Sequence, residues 1–200
     1  MARTSKIVRW VAFALMVVFG VVGGLFVLGE TFADPGGWEA VVRSALWVVP
    51  VVALSLFALL RPNMAVAPLV AVTALVVVFS LADAAFGIVP RDDWGPVTAI
   101  ALFAIGVTLA FLGLHRAGLA GLLMLVAAFG QLMAVMIGGV VSRAGDGSGP
   151  GPALGGSSGA VIVPVMAAGA LFVVAAIIAR ESPPATHPPV SAPPGFTGAH

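Results

Sequence analysis

The sequence predicts an all-α integral membrane protein, a bundle of six transmembrane helices containing two tight helical hairpins. Three observations carry that prediction. Hydrophobic residues make up 60% of the chain and charged residues 8%, whereas a soluble domain carries about 25% charged residues. The apolar residues fall into blocks of roughly 20, the length a helix needs to cross a bilayer. Short polar segments separate the blocks, two of them so short that the flanking helices must be antiparallel neighbours. A soluble fold is excluded.

The chain opens on a basic stretch, residues 1–8, with Arg3 and Lys6, and Arg9 follows. The first helix is expected at about 10–29, an uncharged run starting at Trp10. Thr31-Phe32-Ala33 resembles a signal cleavage site. The apolar run ahead of it is longer than the roughly 7–15 residues of a signal peptide, so it reads as a retained membrane helix. Gly20 and Gly24 form a GxxxG pair with Gly23 beside them, a surface open to close helix approach. Glu30 to Gly37 is an acidic loop, closed by Trp38 at the expected interface.

The second and third helices, at about 39–60 and 64–86, form the first hairpin, which folds at Arg61-Pro62-Asn63. Proline disfavours helical geometry in the residue before it, which suits a turn at Arg61. Pro50 lies within the second helix and is expected to kink it. The fourth and fifth helices, at about 97–114 and 119–141, form the second hairpin through His115-Arg116-Ala117-Gly118. Between the hairpins, residues 84–96 carry Arg91, Asp92, Asp93 and Trp94. Neighbouring aspartates in a surface loop, with no third ligand nearby, read as solvated charge. Residues 142–159 are rich in Gly and Ser and read as a flexible loop before the sixth helix at about 160–179. The tail, 181–200, holds six prolines and is expected to be disordered. The hairpins also show a weak repeat, Trp38 to Arg61 echoing Trp94 to Arg116. Two readings stand equally: a duplicated out–in–out unit, as parallel-repeat transporters have, or the outer Trp and inner Arg that any such hairpin shows.

The polar residues within the blocks are the candidate site: Arg43, Asp83, Gln131 and Glu39. Arg43 and Asp83 each lie 20 residues from Asn63, so a symmetric hairpin brings them to one depth. An interhelical pair there would mark a substrate or proton site, as intramembrane charges often do. The competing reading is local. Glu39 precedes Arg43 by four residues, the favoured order for an ion pair within one helix. Insertion needs no partner, because the twelve Leu, Phe and Val residues of 41–60 outweigh an off-centre arginine at about −0.3 to −0.6 kcal/mol each. Gln131 is the deepest large polar side chain and reads first as a hydrogen bond between helices.

Lys and Arg place both termini in the cytoplasm. Arg3, Lys6, Arg9, Arg61, Arg116 and Arg180 fall on the inner side, and seven of the eight acidic residues fall on or near the outer one. The expected location is the cell (inner or plasma) membrane.

Chemistry is sparse. With no Cys, and with His115, His187 and His200 all at or beyond the membrane edge, the expectation is no cofactor and no metal. Gly156-Ser157-Ser158-Gly159 matches the GxSG of rhomboid-type intramembrane proteases, but the sixth helix lacks the activating histidine. Asp146-Gly147 echoes the start of a phospholipid-synthase motif whose later aspartates are missing. No basic cluster points to nucleic acid, and no Walker-type loop to ATP. The expected partners are the lipid bilayer and another membrane protein. The expected role is a non-catalytic accessory or scaffold protein; the alternative is a small secondary carrier or channel using Arg43, Asp83 and Gln131.

Overall fold

Backbone amides surrounded by hydrocarbon must be satisfied within their own segment, and a long apolar run does this as a helix. The computed structural model describes residues 2–33, 36–88, 97–146 and 157–180, and they are almost wholly helical. The six helices are α1 (Ala2–Ala33), α2 (Gly37–Leu60), α3 (Pro62–Phe86), α4 (Val97–Gly113), α5 (Ala117–Asp146) and α6 (Ser157–Arg180). Five are long and apolar enough to cross a membrane, and α4, at 17 residues, is shorter.

Several boundaries differ from expectation, for one reason. Bilayer thickness limits how much of a helix is apolar, not how far the helix runs. Thus α1 starts at Ala2 and continues through the cleavage-like Thr31-Phe32-Ala33. The Thr31 hydroxyl donates to the Val27 carbonyl at 2.8 Å, one turn back. Similarly, α5 continues to Asp146 and α6 takes in Ser157, so helix enters both ends of the loop expected over 142–159 and leaves residues 147–156 between them. Those ten residues, the segment 89–96 with Arg91, Asp92, Asp93 and Trp94, and the proline-rich tail lie outside the described residues.

The hairpin turns are tighter than three or four residues. At the first, Arg61 alone leaves helical geometry (φ −132°, ψ 61°). Its N–H donates to the Phe57 carbonyl at 2.9 Å, and Pro62 opens α3, where its missing N–H costs nothing. At the second, Leu114 to Arg116 suffice, the Arg116 N–H donating to the Leu112 carbonyl at 2.8 Å. Pro50 lies within an uninterrupted α2. Gly87 ends α3 in the left-handed region (φ 61°), its N–H returning to the Asp83 carbonyl at 2.8 Å, a conformation glycine adopts without steric cost.

The centre of the bundle is α4. It packs against all five other helices, whereas α2 meets α3 much less than it meets α4. Nine of the 17 residues of α4 are buried. The core around it is apolar and small-grained, with Ala12, Met16, Leu69, Leu102, Leu109, Met124, Val165 and Phe172. The most extensive contact is between α5 and α6. A Cβ on Gly121 would stand 2.6 Å from the Gly169 carbonyl oxygen, so only glycine allows the two backbones this close. The GxxxG of α1 is used differently from its spacing. Gly20 and Gly23 receive Val107 and Phe103 of α4, while Gly24 faces open space.

Five contacts fix the polarity of the bundle. The Arg116 guanidinium donates to the Asn63 side-chain oxygen at 2.8 Å, joining the two turns. Arg9 donates to the Leu114 carbonyl at 3.0 Å, and the Ser5 hydroxyl to the Ala175 carbonyl at 2.7 Å. Trp10 meets Phe13 edge-on, and Phe13 meets Phe111 in the same way, at 5.6 and 5.1 Å between centroids. Both hairpin turns, the start of α1 and the end of α6 therefore share one end.

Candidate functional site

Two of the four predicted residues pair directly on one helix, and a third bonds to a helix of the other hairpin. Arg43 donates to Glu39 at 2.6 Å, one turn apart on α2, and both side chains are largely exposed. This is the local pairing that the four-residue spacing favours. Asp83, half-buried, sits one turn from the end of α3, where its carbonyl closes the Gly87 cap.

Gln131 is 5% exposed and lies halfway along α5. Its amide nitrogen donates to the Thr98 hydroxyl at 3.1 Å, in the first turn of α4. Gln131 lies about 21 Å from the Arg116 turn along its helix, and Thr98 about 22 Å, so the second hairpin brings them level. Among the described residues, the Gln131 side-chain oxygen has no partner, and neither do the buried hydroxyls of Ser44, Ser55 and Ser80. Thr73 and Thr108 instead donate to the carbonyls one turn back, at 2.7 and 3.0 Å, which satisfies them within their own helices. Among the described residues, no three His, Asp or Glu side chains come together as a metal-binding group.

The end of the bundle that holds both turns is chemically different. A cleft of about 380 Å³ opens there between α1, the second turn, α5 and α6, lined by Ser5, Arg9, His115, Arg116, Gly118 and Arg180 among others. Arg9 and Arg116 are oriented by the neutral oxygens of Leu114 and Asn63. Sequence reasoning counted these arginines only as markers of orientation. The signal available in it was that three arginines from separate segments all fall within a turn of the same end.

No known protein family, no curated protein and no solved structure matches the chain.

Proposed function

We propose that the chain is a six-span protein of the cell membrane, with both termini in the cytoplasm, acting without catalysis as an accessory or scaffold subunit. In this reading α4 spans with the five longer helices, and the outer faces of α1, α2 and α3 hold another membrane protein. One observation carries the role: the interior is packed with Ala, Leu, Met and Val, while Arg43 and Gln131 are engaged by their own neighbours Glu39 and Thr98. A carrier needs polar groups converging on a path through the bundle, whereas a scaffold needs a dry interior and large apolar outer faces. Leu25, Phe26, Leu46, Leu60 and Leu75 are all at least 63% exposed on those three helices.

Purification in mild detergent from the native membrane tests this. A membrane protein present in stoichiometric amount supports the scaffold reading, and a chain that elutes alone from native membranes overturns it. The orientation is tested separately with a label at each terminus. Accessibility of either from outside intact cells refutes cytoplasmic termini.

The second reading, a small carrier or channel, is favoured by the unpartnered buried oxygens of Ser44, Ser80 and Gln131. It requires that Asp83→Asn and Arg43→Ala abolish flux in reconstituted vesicles. Flux that is unchanged in both variants removes their part in it.

A further inference from the structure

We propose that the cleft at the end of the bundle holding the two turns binds the phosphate of an anionic phospholipid. The argument begins with charge. Arg9 comes from α1, Arg116 from the second turn and Arg180 from the end of α6, and all three line one cleft with His115. Among the described residues, the carboxylates of Glu30, Glu39 and Asp83 lie towards the opposite end of their helices. The partners that orient Arg9 and Arg116, a backbone carbonyl and an asparagine oxygen, are neutral. Each guanidinium has five N–H donors in a planar fork, and each of these two bonds uses one. The remaining donors suit a phosphate, which accepts several charge-assisted bonds at once.

The backbone adds to the site. The first intrahelical bond of α5 runs from the Ala120 N–H to the Arg116 carbonyl. The N–H groups of Ala117, Gly118 and Leu119 therefore have no acceptor within the helix, and all three residues line the cleft. Their partial positive charge reinforces the arginines.

The surroundings favour a lipid over free phosphate. Leu119, Ala175, Ala176 and Ala179 form an apolar wall beside the basic groups, as a headgroup joined to an acyl chain requires. The outer face of α1 repeats this arrangement, with Arg3 and Lys6 next to exposed Ile7, Trp10 and Val11. Basic pockets between helices on the cytoplasmic side recognise anionic headgroups by this chemistry.

The inference rests on the membrane reading above, and the two fail differently. A chain that stays dispersed in buffer without detergent refutes membrane residence. A detergent-solubilised chain without anion selectivity refutes the site alone.

The test is native mass spectrometry of the full chain in detergent, titrated with phosphatidylglycerol, with phosphatidylcholine and with inorganic phosphate. The expected result is one phosphatidylglycerol per chain, bound at least about tenfold more tightly than phosphatidylcholine, with inorganic phosphate a weak competitor. Arg180→Gln, at the exposed last residue of α6, is expected to weaken binding about fivefold. Arg116→Gln should do so at least equally, and Arg61→Gln, at the same end but outside the cleft, should leave it unchanged. Equal loss in Arg61→Gln and Arg180→Gln means diffuse charge and overturns the site. Equal binding of the two lipids overturns it as well. Saturation by inorganic phosphate, sensitive to Arg180→Gln and with no lipid preference, overturns the lipid as the source. If Arg116→Gln fails to fold, the comparison of Arg180→Gln with Arg61→Gln still decides.

Discussion

Adding one methyl group at Gly121 is expected to separate α5 from α6. The new Cβ would stand 2.6 Å from the Gly169 carbonyl oxygen and 2.8 Å from the Val173 amide nitrogen, both backbone atoms. No side-chain rotation relieves a clash with backbone, so the helices themselves must move apart by roughly 0.5 Å. A gap of that size forfeits about a quarter of the dispersion well for each atom pair across the seam. The seam includes Met124 and Leu125 against Gly169, Val173 against Gly121 and Ala176 against Gly118. The expected cost of Gly121→Ala is therefore about 1–3 kcal/mol, the range for overpacking a close-packed interior. Gly24→Ala is the matched control, because none of the described residues comes within 4 Å of its Cβ position. The assay is denaturant-driven unfolding in mixed micelles, followed by helical circular dichroism. If Gly121→Ala unfolds at the same denaturant fraction as Gly24→Ala, the close approach of α5 and α6 is wrong.

Other substitutions probe separate parts of the fold. Phe172→Ala removes the largest fully buried side chain and should cost about 3–5 kcal/mol in the same assay, with a loss under 1 placing the ring outside the core. Glu39→Ala should change stability by no more than about 0.5 kcal/mol, because its pair with Arg43 is exposed and local. A larger effect would mean that Glu39 holds α2 to another helix. Asn63→Ala removes the acceptor that clips the two turns together and should cost about 1 kcal/mol. Limited proteolysis at the turns provides an independent readout, and unchanged rates of cleavage there would count against the clip.

The number and type of the helices were legible because runs of apolar residues and the positions of charges report them directly. Their ends were not, since α1 runs on through polar residues such as Arg3, Lys6 and Thr31, where the apolar pattern has already stopped. The pairing of Arg43 with Glu39 was legible from spacing alone. Thr98 as the partner of Gln131 was missed, although the register argument applied to Arg43 and Asp83 would have found it. Thr98 lies 17 residues before His115, and Gln131 lies 16 after it. The central place of α4 was hidden more deeply. Its composition resembles that of its neighbours, and burial on all sides leaves no amphipathic stripe to read. The basic cleft was hidden because a topology argument counts arginines by side of the membrane, whereas the site depends on which of them converge.

The central place of α4 also bears on what Gln131 does. Five neighbours pack around α4, and Gln131 is buried on one of them. A buried amide is costly without a partner, and the Gln131 amide meets the Thr98 hydroxyl of α4. This predicts an asymmetry between the two partners. Thr98→Val strands the Gln131 amide, with nitrogen and oxygen both unpartnered, and should cost about 1–2 kcal/mol. Gln131→Leu removes that oxygen together with the bond and should cost no more than about 0.5 kcal/mol, since hydrogen bonds between membrane helices average about 0.6. Adding Gln131→Leu to Thr98→Val should therefore restore most of the lost stability. A conducting role for Gln131 predicts something else: a Gln131→Leu protein that folds normally and has lost its flux. If Thr98→Val proves the milder change, or if the second substitution fails to rescue it, the account of Gln131 as a partner for the central helix is wrong.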